Sequence, residues 1–507
     1  MLKERALEMK DISLTRRFAA YVQKDAAYAL ALRTMYFDMA TIAPKKGAAY
    51  RSNLLSILSG EAFAHATSKS TIALLQKVAD QSDDRFAQDQ AKAILKDLEK
   101  IRFIPKKQYV EFNKLCNDAE VEWELAREEK DFSRFAPYLH RLIEGTKANV
   151  KTRRRTECDY DVLLGDYEPN MTQVEYDRFF AVVKEKLVPF LHRLLTEGVK
   201  PDTSFLYKVY PVDKQKQFME ILKEALCVDP KSSYLATSAH PFSSSLSKFD
   251  NRITVRYLAD NVASAIFSLI HEVGHATYNH QVDQVYEGTV FFDNMSMGMH
   301  ESQSRMMENM LGRNKSFWVN LYPKLVALFP ENLSEVSLDQ WVAAINAVEP
   351  GFIRTEADEL TYPLHILLRY EVERGFFDGS VTVDNVEAVW NQKIHDFLGL
   401  NVKDSAEGVL QDIHWSSASF GYFPTYALGS AYSAQWMVAM RKDLNVEQLL
   451  EEGRMDLIKQ WLMEKIHTYG GKRQADELLK EVTGESFNPM HYVDYLIDKY
   501  SALYQLK

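Results

Sequence analysis

The sequence predicts a mostly α-helical fold with a small β-sheet, and three observations carry that prediction. Long stretches place apolar residues at three-, four- and seven-residue steps, period-two alternation is rare, and glycine and proline number only 20 and 15 in 507 residues. In FAAYVQKDAAYALALRTMYFDMA, Tyr21, Tyr28, Leu32 and Met35 share one helical face. FFAVVKEKLVPFLHRLL and MDLIKQWLMEKIHTY repeat the pattern. The best strand candidate is NRITVRYL, Asn251 to Leu258, which puts the sheet near residue 250.

A chain this long suggests about three domains on length alone. No Ser/Gly/Pro-rich linker separates one composition from another, however, so residues 1–507 read as a single continuous body. The formal charge of -10 argues against nucleic acid as a partner, because phosphate binding needs a local excess of Lys and Arg. KTRRRTE, around Arg153 to Arg155, has acidic neighbours and reads as a solvated helix face. The charged N-terminal stretch lacks the apolar core of a secretory signal, and no apolar run reaches the roughly 18–20 residues of a membrane span. Cys116, Cys158 and Cys227 are odd in number and far apart, which fits reduced thiols. The expectation is a soluble cytosolic protein with no membrane partner.

Neither a GxxxxGK[ST] phosphate loop nor a GxSxG elbow occurs. The chemistry concentrates instead in SLIHEVGHATYNH, residues 268–280. On a helix, residues four apart differ by about 40° of rotation, so His271 and His275 form a two-ligand claw. Glu272 lies about 100° round, beside the claw but off it, which suits a group that works on a water rather than on a metal. Ile266, Leu269, Ile270 and Val273 form an apolar stripe that would hold the claw in a core. Gly274 is a poor helix former at about 1 kcal/mol relative to Ala, and its missing side chain leaves room for another segment to approach.

Two histidines are half of a zinc site, and a hydrolytic zinc keeps one position for water. A third ligand is available in MGMHESQSRMMENM, where His300 and Glu301 adjoin and Met306, Met307 and Met310 follow at helical spacing. Two histidines with one glutamate are an established catalytic set, and Glu301 is the expected ligand. Its neighbour His300 diverges by about 100° on the helix. His280, five residues past His275, falls off the claw face.

Read in order, HPF (His240 to Phe242), DNRIT (Asp250 to Thr254), HEVGH, HESQS (His300 to Ser304), IRTEAD (Ile353 to Asp358) and GVLQDIHW (Gly408 to Trp415) span about 175 residues. This series resembles the HPF, DxRxT, HExxH, HES, I(R/A)xxAD and GxxQDxHW elements of the carboxypeptidase Taq family of zinc metallocarboxypeptidases. YDVLLGDYEP, GYFPTYALG and FDMATIAPKKGAAYR extend the likeness over nearly the whole chain. In the last of these Phe37 stands where the family usually has tryptophan, a departure expected to lie away from the metal.

The resemblance implies a two-lobed helical metallopeptidase with a deep central groove, a fold similar to neurolysin-type oligopeptidases, with the catalytic motifs within residues 240–430 of one catalytic domain. It also implies a homodimer and a divalent ion per chain, zinc with cobalt as the alternative, held by His271, His275 and Glu301. Glu272 is then the general base. The substrate would be a peptide with a free C-terminus, whose carboxylate suits an arginine fork, Arg354 first and Arg252 second. His414, with Asp412 orienting it, or Tyr422 or Tyr426 would donate to the oxyanion of the tetrahedral intermediate. HPF, with His240, and DNRIT would close one end of the groove, so that single C-terminal residues are released with broad specificity. The rivals are an oligopeptidase cutting internally and an inactive peptide-binding protein on the same fold.

Overall fold

The computed structural model describes residues 2–153 and 158–506. Four helices open the chain: α1 (Leu2–Thr41), α2 (Ala48–Thr67), α3 (Lys69–Gln81) and α4 (Arg85–Leu98). Side-chain caps set two of their starts. Ser68 accepts from the Thr71 amide, and Asp84 accepts from the amides of Phe86 and Ala87. Leu14, Phe18 and Tyr21 of α1 pack with Leu74, Leu75 and Val78 of α3 and with Ala87 and Ala91 of α4 into a small core of their own. A second, far larger core runs from Leu115 to Tyr504. Between the two, Phe86 stacks on Tyr286 and meets Phe291 at a tilt, and Arg33 pairs with Asp293 at 2.9 Å. A chain of uniform composition thus builds two apolar clusters. Of the basic run, Arg153 pairs with Asp166 at 2.7 Å, whereas Arg154 and Arg155 lie outside the described residues.

The expected sheet is present and has three strands, β1 (Ser233–Thr237), β2 (Ser243–Ser247) and β3 (Asp250–Val255). Its order is β1-β3-β2, with β3 parallel to β1 and antiparallel to β2. Asn251, Ile253, Thr254 and Val255 are buried, as a central strand requires. The strand stops short of Leu258, which forms only an isolated bridge with Asn261. Asn261 then caps the next helix by accepting from the Ser264 amide at 3.2 Å.

That helix, Val262–Gln281, carries HEVGH. Ile266, Leu269 and Ile270 have no exposed surface, but Ala265, Phe267, Tyr278 and Asn279 are buried as well. The expected stripe is therefore a helix enclosed on nearly every side. Each fully buried aliphatic side chain contributes roughly 1.5–3 kcal/mol, which makes this helix a rigid support.

Thr254 fastens HPF to DNRIT. Its hydroxyl accepts from the Phe242 amide at 2.9 Å and shares a 2.6 Å hydrogen bond with Ser238, while its amide donates to the Phe242 carbonyl at 2.9 Å. The Phe242 ring meets Tyr36 and Phe37 edge-on at 5.7 and 5.8 Å, and the Arg252 guanidinium lies 5.3 Å over Phe37. Position 37, at the far end of α1, is thus part of the packing behind both motifs.

Candidate metal centre

The claw helix meets a second helix, Met297–Arg305, at Gly274. A Cβ at Gly274 would stand 2.6 Å from Ser304 Cα and 2.7 Å from the Gln303 carbonyl oxygen, so the two backbones touch there. This is the close approach that the glycine suggested. Gly429, on the helix Pro424–Asp443, serves the same purpose from the other side, since a Cβ there would lie 2.7 Å from Glu301 Cβ. The start of the Glu301 helix is fixed by the buried Glu168, whose carboxylate accepts from the Ser296 hydroxyl and the Gly298 amide, each at 2.9 Å. Gly298 admits it, as a Cβ there would be 2.6 Å from Glu168 Oε2.

These contacts bring His271, His275 and Glu301 together with their donor atoms within 4.8 Å of one another. Glu301 Oε2 is 3.8 Å from His271 Nε2 and 3.5 Å from His275 Nε2. Among the described residues this is the one cluster of histidine, cysteine and carboxylate groups with metal-ligating spacing.

The surroundings prepare each donor. His271 Nδ1 donates to Glu308 Oε2 at 2.9 Å, which leaves the Nε2 lone pair facing the centre. Opposing influences act on this imidazole: burial lowers its pKa, yet Glu301 and Glu308 together raise it above the usual value. His300 Nε2 donates to Asn279 Oδ1 at 2.8 Å, so its Nδ1 accepts from His275 Nδ1 at 2.6 Å. Burial pushes the His300 pKa down to about 3, with the neighbouring His275 acting in the same direction, and His300 is neutral. His275 Nε2 is thereby also left with its lone pair inward. Glu301 Oε1 accepts from Arg305 Nε at 2.7 Å, and its Oε2 is the oxygen that looks at the two histidines. Burial works against the charge on Glu301, but Arg305 and the histidines hold its carboxyl well below the usual range. Such a donor set, two imidazole nitrogens and one carboxylate, fits a divalent zinc-type ion.

Glu272 is buried and, among the described residues, makes no side-chain hydrogen bond or ion pair. The orienting groups Glu308, Arg305 and Asn279 carried no sequence signal. Glu308 sits in a π-helical segment, Met306–Leu311, that continues the Glu301 helix, and its direction follows from that irregular turn rather than from α-helical spacing. His280 is turned elsewhere, with its Nδ1 donating to the Lys248 carbonyl at 3.0 Å.

The other expected site residues form two groups. Arg354 is buried, donates to Asp412 Oδ1 through Nε and Nη2 at 3.0 and 2.8 Å, and lies 4.9 Å over the Tyr426 ring. Asp412 Oδ2 accepts from Arg369 Nε at 2.6 Å, so one carboxylate serves two guanidinium groups. Burial alone would raise the Asp412 pKa, and the two arginines hold it well below normal. The expectation that Asp412 orients His414 is therefore corrected, because both of its oxygens are taken by arginine. His414 Nε2 is instead 3.2 Å from the Tyr426 hydroxyl, and the ring is pushed down to about 4 by burial and by Arg354 and Arg369 against the pull of Asp412. Tyr422 and Tyr426 pack ring to ring at 4.9 Å. The link to the metal centre runs through Tyr362, whose hydroxyl accepts from Arg354 Nη1 at 3.4 Å and whose ring lies 4.3 Å under Arg305. Arg252, on β3, is held by Asp250 at 3.0 and 2.9 Å, and His240 is exposed, its carbonyl accepting from Ser238.

A buried cluster of two histidines and a carboxylate with an adjacent glutamate, on a helical scaffold, defines a metallopeptidase-type centre. The chain belongs to the carboxypeptidase Taq (M32) metallopeptidases, whose family model matches residues 17–500. It is 41% identical over 495 residues to Carboxypeptidase 1 of Bacillus subtilis, covering 97% of this chain and 99% of that one. Thermostable carboxypeptidase 1 of Thermus thermophilus is 36% identical over 497 residues, covering 95% and 97%. The solved M32 carboxypeptidase from Deinococcus radiodurans R1 matches with a TM-score of 0.94 at 29% identity, over 97% of this chain and 100% of that one. This protein is accordingly a metallocarboxypeptidase, with the helical fold and small sheet of its relatives.

Proposed function

We propose that the enzyme removes single amino acids, with broad specificity, from the C-termini of peptides, and that His271, His275 and Glu301 hold one zinc ion, with cobalt as the alternative. The observation that carries this reading is the convergence of those three donors beside a glutamate that has no side-chain hydrogen-bond partner among the described residues. When bound, such an ion polarises the scissile carbonyl and acidifies a water molecule. Glu272 takes the proton of the attacking water and returns it to the leaving amine as the carbon–nitrogen bond breaks. His414 or Tyr426 donates to the developing oxyanion, a reading supported by the hydrogen bond between them, with Tyr422 packed behind.

Recognition of the substrate carboxylate falls to Arg354. The Arg354–Asp412–Arg369 cluster has two cations for one anion, and a substrate carboxylate neutralises the excess. Arg252 is paired one to one with Asp250, leaving no excess charge for a substrate carboxylate, and ranks second. His240 and the other residues of HPF, tied to DNRIT by Thr254, supply the closed end of the groove between two lobes of one catalytic domain. Three free cysteines support a reducing, cytosolic compartment, and no helix among the described residues is long and apolar enough to cross a membrane. Homodimerisation rests on the family resemblance.

One peptide prepared with free and with amidated C-terminus tests the reading. The free form should be shortened one residue at a time and the amide should resist. Equal cleavage of both would mark an internally cutting oligopeptidase, and no cleavage by metal-loaded protein would mark a binding protein.

A further inference from the structure

The π turn that brings Glu308 to His271 is held from outside the metal centre. Segments closed by five-residue hydrogen bonds are rare and occur mostly as single turns at functional sites, so what stabilises this one matters. Gly312 N donates to the Met307 carbonyl at 2.8 Å, the five-residue closure. Within the turn, Glu308 Oε1 accepts from Arg313 Nη2, and the Asn309 side chain accepts from Arg313 Nε, both at 3.2 Å. The main-chain carbonyl of Asn309 accepts from Lys499 Nζ at 3.2 Å on the C-terminal helix Met490–Leu503, and Tyr495 Oη of the same helix lies 3.3 Å from that oxygen.

Lys499 and Tyr495 are themselves fixed by one buried carboxylate. Glu359 Oε2 accepts from Lys499 at 2.6 Å and from Tyr500 at 3.1 Å, and Oε1 accepts from Tyr495 at 2.9 Å. The Glu359 side chain is only 3% exposed. A buried ion pair is a weak stabiliser, because desolvation offsets its attraction and an apolar pair of the same volume does as well or better. Its use lies in direction: the ammonium, which also donates to Tyr495 Oη at 3.2 Å, is aimed at one backbone oxygen, that of the residue next to the glutamate that touches His271.

We infer that Lys499, Tyr495 and Glu359 are positioning residues for the metal centre. They fix the Asn309 carbonyl, through it the π turn, and through the turn the Glu308 carboxylate against His271 Nδ1. The inference rests on the reading of His271 as a ligand. Loosening this clamp lets His271 swing and weakens metal binding, although no ligand is altered.

The test is the affinity of chelator-stripped protein for cobalt, by competition with a chromogenic chelator, together with the visible spectrum of the bound ion. Y495F keeps the ring and the Lys499–Glu359 pair and should bind about threefold more weakly. K499M/E359M removes both charges at once and should lose on the order of tenfold, with a shifted spectrum. E308Q should lose about 10- to 100-fold, and Y495F added to E308Q should lose nothing more, since both act through one carboxylate. Wild-type affinity and spectrum in Y495F and K499M/E359M, or losses that add in full to that of E308Q, overturn the inference. If K499M/E359M does not fold, Y495F and the E308Q/Y495F pair decide. Undiminished cobalt binding in H271A would instead remove the ligand assignment itself.

Discussion

His300 Nδ1 lies 2.6 Å from His275 Nδ1, while the other nitrogen of His300 donates to Asn279. The residue next to Glu301, a proposed ligand, is thus engaged with another histidine. His300→Phe keeps an aromatic ring at the site but removes the acceptor that fixes the His275 tautomer. Its metal affinity should fall about 10- to 100-fold, the usual effect of losing a group that orients a ligand. Dialysis against graded chelator followed by metal analysis checks this, and retention equal to the wild type would show that His275 needs no such support.

At Gly274 the backbones of the claw helix and the Glu301 helix are in contact. Alanine ordinarily favours a helix over glycine by about 1 kcal/mol. Here its Cβ would meet backbone atoms at 2.6 and 2.7 Å, and backbone cannot move aside as a side-chain end can. Overpacking of this kind costs about 1–3 kcal/mol. Gly274→Ala should lower the urea midpoint and separate Glu301 from the claw, so that metal affinity falls as well. A variant as stable and as avid as the wild type would contradict the close approach.

Much of this centre was legible in the sequence because helical spacing is rigid: His271 and His275 must share a face, and Glu272 must leave it. The sheet near residue 250 was legible only through its central strand, since β3 is buried and alternates, whereas β2 is nearly all serine and carries no pattern. The orientation of the donors was not legible. Glu308 depends on a π turn, Asn279 on a two-residue histidine relay, and the partner of Asp412 on Arg369, forty-odd positions away in the chain. Pairings of that sort are made by tertiary packing, and a single sequence shows no period for them. The packing of Phe37 on Phe242 was not legible for a related reason, as nothing local reports where the far end of a forty-residue helix lands.

In the proposed mechanism Glu272 serves the chemistry and His275 the binding of the ion. Glu272→Gln preserves shape and leaves the three donors untouched, so metal content should stay at one ion per chain while kcat falls by at least about 100-fold, the lower range for a general base. His275→Ala should lose both metal and activity. Single-turnover kinetics with metal analysis on the same samples distinguishes the two, and an active Glu272→Gln enzyme would remove Glu272 from the proton path.

Glu373 gives a prediction in pH. Its buried carboxylate ties three segments together, accepting from Trp415 Nε1 and the Gly421 amide at 2.8 Å and from the Tyr160 hydroxyl at 3.0 Å. Burial pushes its pKa up to about 7 from 4.5, and these three donors restrain the rise. A raised carboxyl means that between those two values the folded protein keeps a proton that the unfolded chain has lost. Its contribution to stability is therefore full below pH 4.5 and declines as pH rises to about 7, at no more than about 1.4 kcal/mol per unit. Glu373→Gln is neutral throughout and lacks this decline. The difference in urea midpoint between the two proteins should shift toward the glutamine variant from about pH 5 to about pH 7 and stay level above it. A constant difference, or a shift toward the wild type, would mean that the folded protein holds this carboxylate ionised across the range.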